Sequence, residues 1–296
     1  MTESDVELAH PLQKRTLQTL AGAQTLSGLG YSSTVAAGSL LVASITKSEA
    51  LAGLAQTFGV LGAAAMALPL ANLTRRGGRR LALSSSYLVG AIGAVFAVAG
   101  GASRILPIML LGTFLVGAAA ASGYQARYAA VDLATQSTRA RSLSLVVWAS
   151  TIGSVVGPNL MGPFGNVATF LGLPKLTGPY LLSAVMLGLG SLIIWTRLKP
   201  DPYLTSVAGH SEESSSKTKV PTKEVFSHIT SIPNALLGLL AISMGHLIMV
   251  AVMVMTPVHM AHVDVSLNII GFVISVHIAG MYALSPVVGY LTDRLG

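Results

Sequence analysis

The chain has 296 residues, 52% of them hydrophobic and only 10% charged, with a mean hydropathy of +0.68 and a formal net charge of +7. A soluble domain carries about 25% charged residues, so this composition excludes a water-facing shell and points to a surface that meets lipid. The absence of cysteine excludes disulfides and thiolate metal sites, and the basic residues sit in short segments between apolar runs, where positive charge sets membrane orientation and does not mark nucleic-acid binding.

Residues 1–17 are polar and read as a cytoplasmic N-terminal segment, because the apolar run that follows is too long for a signal-peptide core. A crossing needs about 20 mostly apolar residues to span about 30 Å of hydrocarbon. With that window the runs fall at about 18–45, 50–73, 81–100, 105–131, 143–170, 178–196, 233–259 and 268–291. They are continuous, without the period-two alternation of a barrel strand, so helices are predicted. Gly28, Gly30, Gly59, Gly62, Gly90 and Gly117 suit close helix packing in a membrane. The predicted fold class is an all-α integral membrane bundle of about eight transmembrane helices embedded in a lipid bilayer.

With the N-terminus inside, the inner segments hold Lys14, Arg15, Arg75, Arg76, Arg79, Arg80, Arg127, Arg139, Arg141, Arg197, Lys199, Lys217, Lys219, Lys223 and Arg294, leaving Lys47, Arg104 and Lys175 outside. That bias places both termini in the cytoplasm of a cell membrane protein. Residues 199–231, with "SVAGHSEESSSKTKVPTKE" at their centre, read as a flexible cytoplasmic linker. The linker divides six helices at 18–198 from two at 232–296.

Span two ends in "ALPLANLTRRGGRR" and span eight in "ALSPVVGYLTDRLG". A self-match at this distance points to two six-helix halves. Here the chain resembles the major facilitator superfamily, whose loop after the second helix of each half carries G-x-L-x-D-R-x-G-R-R/K. Gly289, Leu291, Asp293, Arg294 and Gly296 match in the second copy, and Leu73, Arg76, Gly78, Arg79 and Arg80 in the first. Ala71 and Arg75 stand where the first copy would have its glycine and aspartate, which puts the usual ionic latch between helix ends in question for this half.

Span five contains "GSVVGPNLMGP", which resembles the motif of the family's drug/proton antiporters through Gly153, Gly157, Pro158 and Gly162. Small residues at 153 and 157 let a neighbouring helix approach, and Pro158 removes a backbone hydrogen bond and bends the helix. Thr113 and Val116 stand where such antiporters carry the arginine and glutamine of R-x-x-Q-G. The resemblance covers the chain from span one to Gly296. It implies a secondary transporter that exports a drug-like or small-metabolite substrate by alternating access, with protons as an optional coupling ion and no cofactor. With two helices in the second half, the chain is expected to be cut after the eighth helix. The alternative is a non-transporting remnant, or a split subunit completed by a separate four-helix chain.

Candidate site residues are few, because ionisable groups inside a membrane are costly. Gln24 in span one and Gln56 in span two are the polar candidates for substrate or for packing. His246 and His277 are the proton candidates, since imidazole titrates near neutral pH. Arg127 and Asp132, at the inner end of span four, form a candidate gating pair, with one another or with a facing helix. Met244, Met249, Met253, Met255 and Met260 crowd span seven as adaptable apolar lining, without a repeated Met-x-Met-x-His cluster, so no metal is expected. No P-loop or hydrolase motif is present, and no enzyme is predicted.

Overall fold

A computed structural model of the chain describes residues 11–135, 138–209 and 222–283. The described elements are α1 (Gln13–Thr46), α2 (Leu54–Ser103), α3 (Leu106–Ala129), α4 (Arg139–Asn159), α5 (Met161–Phe170), α6 (Gly178–Arg197), α7 (Pro202–Gly209), α8 (Thr222–Ser231), α9 (Pro233–His262) and α10 (Leu267–Ala283), with 3-10 turns at Glu49–Leu51 and Lys175–Thr177. No strand occurs among the described residues.

Five helical segments are long and apolar enough to cross a membrane, and α4 with α5, bent by 55°, makes up a sixth. Helix α2 has 50 residues, about 75 Å at 1.5 Å per residue, more than twice the hydrocarbon thickness. It breaks at Gly78, whose φ of 81° and ψ of 176° are not helical. Its two arms form a hairpin: Gly117 of α3 lies against Gly59 and Ala63 of the first arm, and Gly112 against Gly93 and Ala97 of the second. Counting each arm as a crossing, and adding the shorter apolar helix α10, accounts for the eight runs read from the sequence.

The differences are local. The basic stretch 74–80, expected as a loop, is helical on both sides of a single reversing glycine. Helix α1 starts ahead of the apolar run, because Gln13 Nε2 donates to Ala130 O at 2.8 Å and Ser142 Oγ at 3.1 Å, tying together α1, α3 and α4 at the end of the bundle where α2 reverses. That end is called the inner end after the charge bias, and its opposite the outer end. The expected flexible linker contains α7 and α8. Asp201 starts α7 by accepting from the Tyr203 and Leu204 N–H groups at 3.0 and 3.2 Å, and Pro202 fits the first helical position. Residues 210–221, and the loop-motif residues Gly289, Asp293 and Arg294, lie outside the described residues.

Helices α1 and α4 run parallel and nearly touch. A Cβ on Gly153 would lie 2.0 Å from Thr25 O, one on Gly28 2.4 Å from Ser150 O, and one on Gly157 2.5 Å from Leu29 O. The Thr25 hydroxyl donates across this seam to Ala149 O at 3.0 Å. Helix α6 closes the other side of α1, where Ser33 Oγ donates to Pro179 O at 3.1 Å. Without a hydrophobic force between helices in lipid, close backbone contact and such hydrogen bonds hold the bundle.

Gly78 meets two constraints at once: a positive φ, and a carboxylate of Asp201 that a Cβ would approach to 2.4 Å. Gly78→Val is expected to destabilise the bundle by about 1–3 kcal/mol. Thermal unfolding in detergent checks this, and an unchanged melting curve would show that the hairpin does not depend on this conformation.

Candidate functional site

Tyr31 lies near the middle of α1, about 27 Å along a helix about 51 Å long at 1.5 Å per residue. From this depth toward the end of the bundle that carries Glu49, α1, the first arm of α2, α3 and α6 enclose a cleft of about 20 Å³, lined by Tyr31, Thr34, Gln56, Thr113 and Tyr180 with small and aliphatic neighbours. That is room for about one water. Gln56 and Tyr180 are the third residues of their helices. The lining offers two phenols, an amide and two hydroxyls, and no charged group. Tyr180 is 1% exposed. Thr113, standing where the antiporter resemblance would put an arginine, turns its hydroxyl back to Leu110 O at 2.9 Å.

Of the glutamines, Gln56 lines this cleft and Gln24 does not. Gln24 Nε2 donates to Gly123 O at 3.2 Å and its Oε1 accepts from Tyr87 OH at 2.6 Å, which joins α1 to α3 and to the second arm of α2. Tyr31 and Tyr180 were missed by the search for ionisable and amide groups. Their signal was a large polar-tipped aromatic within runs otherwise built of small and aliphatic residues.

The inner end carries the charges. Arg79 is 8% exposed, and its guanidinium holds Asp132 through Nε at 2.8 Å and Nη2 at 3.2 Å, while Nη1 donates to Gln125 Oε1 at 2.7 Å. The ring of Tyr203 on α7 lies 5.6 Å from the same guanidinium. Asp132 therefore pairs with Arg79 from the facing hairpin, and Arg127 instead stacks on Tyr124 at 5.1 Å. Arg80 stacks on Trp195 at 4.7 Å, and its N–H donates to Asp201 at 2.7 Å. An ion pair between helix ends is thus present although Arg75 stands in place of the motif aspartate. Arg75 bonds Asn72, and Arg76 is exposed.

The span-five motif lies where α10 crosses α4. A Cβ on Gly271 would meet Pro158 O at 2.1 Å, and Gly162 sits against Asn268. Asn159 Nδ2 donates to Ser275 Oγ at 2.7 Å. The bend directly after Pro158 turns α5 toward α6, where Gly178 packs on Phe164 O. Two residues beyond Ser275, and so on another face of α10, His277 is half-buried with its Nε2 unpartnered among the described residues. His246 is exposed on α9, so the two histidines do not share one environment. At the outer end His262 Nδ1 and Glu49 Oε1 are 2.8 Å apart, joining α9 to the turn after α1 beside a cavity of about 510 Å³. Among the described residues no carboxylate lies within a spanning helix, and no group of three or more His, Asp or Glu residues gathers to hold a metal.

A hairpin-containing bundle with a polar cleft, glycine-lined crossings and an ion pair at the inner end defines a multi-pass membrane transport protein. Residues 20–296 match the Major Facilitator Superfamily, and the chain belongs to that family. It is 34% identical over 295 residues to the MFS-type transporter YdeG of Bacillus subtilis, covering 99% of this chain and 68% of that protein. It is 33% identical over 291 residues to YddS of the same organism, covering 98% and 66%. The riboflavin transporter RfnT of Brucella anthropi is 28% identical over 285 residues, covering 96% and 68%. The fold also matches the crystal structure of a bacterial homologue of the human lysosomal transporter Spinster, inward-facing and unoccupied, with a TM-score of 0.67 at 18% identity over 97% of this chain and 64% of that one. The chain spans about two thirds of the length of these relatives.

The pairing at the inner end separates two neighbouring charges. Asp132→Asn leaves a buried guanidinium without its counter-charge and is expected to destabilise by about 3–5 kcal/mol. Arg127→Gln, losing a stacking contact on a tyrosine that is 61% exposed, is expected to cost about 0.5–1 kcal/mol. Melting temperatures of the two variants in one detergent check the order, and equal losses would refute the Arg79–Asp132 assignment.

Proposed function

We propose that this chain is a secondary transporter that moves an uncharged, planar, hydrogen-bonding small molecule by alternating access, with its first six helices forming one wall of the binding site. The observation that carries this reading is the polar cleft, with Tyr31, Gln56 and Tyr180 around it and no ion to recognise a charged cargo. Family transporters bind near the bilayer midplane, between repeats. The cleft is a subsite for one polar edge of the substrate, whose remaining surface faces the second half. The name of the riboflavin transporter among the relatives supports a heteroaromatic cargo with amide-like edges.

In this reading residues 18–198 form the first half, 199–231 the connection and 232–296 the start of the second half. The N-terminus is cytoplasmic in the cell membrane, in accord with the basic residues at the inner end. The span-five motif against α10 favours an exporter. Because no carboxylate lies in a described span, proton coupling falls to His277, whose buried ring Nε2 has no hydrogen-bond partner among the described residues.

Transport of uncharged heteroaromatics and of their cationic and anionic analogues into proteoliposomes tests the substrate class. The neutral compounds are expected to be preferred, and Gln56→Ala to lower their flux by about tenfold, the effect of one lost hydrogen bond, with the melting temperature unchanged. Preference for a charged analogue would overturn the reading. His277→Gln is expected to leave substrate exchange intact and abolish its response to a pH gradient, and a retained response would remove His277 from the coupling path.

A further inference from the structure

We propose that a groove between α1 and α6 at the inner end of the bundle binds the phosphate of an anionic phospholipid. Helices α1 and α6 are antiparallel, in a register that sets Ala23 beside Gly190, Gly30 beside Ser183, and Ser33 beside Pro179. The same register brings Arg15 level with Arg197. Below the Ala23 contact the helices part, leaving a cavity of about 530 Å³ lined by Arg15, Gln18, Thr19, Gly22, Ile193 and Arg197. Nothing lies within 4 Å of a Cβ placed on Gly22, so the groove floor is open.

Its position is set by helical phase. At 100° per residue, Gly22 falls between the stripe of α1 that meets α4 (Thr25, Leu29, Ser32) and the stripe that meets α6 (Ala23, Gly30, Ser33), while Gln18 continues the first stripe and Arg15 the edge of the second toward the end of the helix. Gln24, which bonds α3, lies on the far side of the helix. The groove therefore opens away from the polar cleft, toward lipid. Its floor of glycine and isoleucine suits an acyl chain, and its mouth holds two guanidiniums beside an amide and a hydroxyl. Neither guanidinium has a hydrogen-bond or ion-pair partner among the described residues, and no described carboxylate lines the cavity. The contrast with Arg79, whose guanidinium is paired with Asp132, and Arg80, whose guanidinium stacks on Trp195, marks Arg15 and Arg197 as charges that await a ligand. Guanidinium forks recognise phosphate bidentately, and level with the interface the phosphate at hand is that of a headgroup.

Native mass spectrometry of the chain, extracted from membranes holding phosphatidylglycerol and phosphatidylethanolamine, tests this. The wild type is expected to retain phosphatidylglycerol. The double variant Arg15→Gln with Arg197→Gln is expected to retain about thirtyfold less, the effect of two interfacial basic groups. Arg15→Lys with Arg197→Lys, which keeps both charges, loses the guanidinium forks and controls for folding, is expected to retain more than the glutamine variant and less than the wild type. Equal retention by the glutamine variant, or equal retention of phosphatidylethanolamine by the wild type, overturns the proposal. So does inorganic phosphate stabilising the delipidated wild type as much as the lipid does, which would assign the groove to a free anion.

Discussion

The bundle depends on the absence of side chains where helices cross. Lipid tails are as apolar as leucine, so burial of apolar surface does not drive helices together inside a membrane, and attraction has to come from close packing and interhelical hydrogen bonds. Gly28, Gly153 and Gly157 let α1 and α4 approach until a single Cβ would strike a backbone carbonyl, and Gly62, Gly93, Gly112 and Gly117 do the same for α3 between the arms of α2. At that distance hydroxyls reach carbonyls of the next helix, as Thr25 does to Ala149 and Ser86 to Ala118 at 2.7 Å. Everything polar at mid-depth sits where these crossings leave room.

This packing sorts the chemistry by depth. Buried charge is confined to the inner end, where Arg79, Asp132 and Gln125 satisfy one another and the reversing Gly78 gives Asp201 access to the hairpin backbone. From mid-depth outward the cleft keeps neutral donors and acceptors, Tyr31, Gln56 and Tyr180, which hold a hydrogen-bonding partner without the desolvation cost of an ion. The outer end carries an exposed ion pair, Glu49 with His262, in solvent where such a pair contributes little to stability. A neutral middle between two charged ends is what the cost of burying an ion imposes on a bundle in lipid.

Much of this architecture was legible in the sequence, because hydropathy reports crossings directly. The eight apolar runs correspond to α1, the two arms of α2, α3, the bent α4 and α5, α6, α9 and α10, and Pro158 marked the bend. Pairing was less legible. Arg127 and Asp132 are neighbours in sequence, yet the carboxylate goes to Arg79, because the hairpin at Gly78 folds a distant cation onto the end of α3. Helix α7 was hidden in a segment of low hydropathy, since its anchor is the capping carboxylate of Asp201 and not an apolar face. The cleft escaped notice because it is made by residues from four helices, and no spacing within one helix encodes it.

A volume series at two glycines of the same bundle tests the close-packing account most directly. Gly153 faces Thr25 O across the α1–α4 seam, whereas a Cβ on Gly188 of α6 meets nothing within 4 Å. Alanine, valine and leucine placed in turn at 153 are expected to lower the melting temperature step by step, while the same three residues at 188 leave it level or raise it slightly. Parallel behaviour of the two series would contradict the claim that missing side chains hold this bundle together.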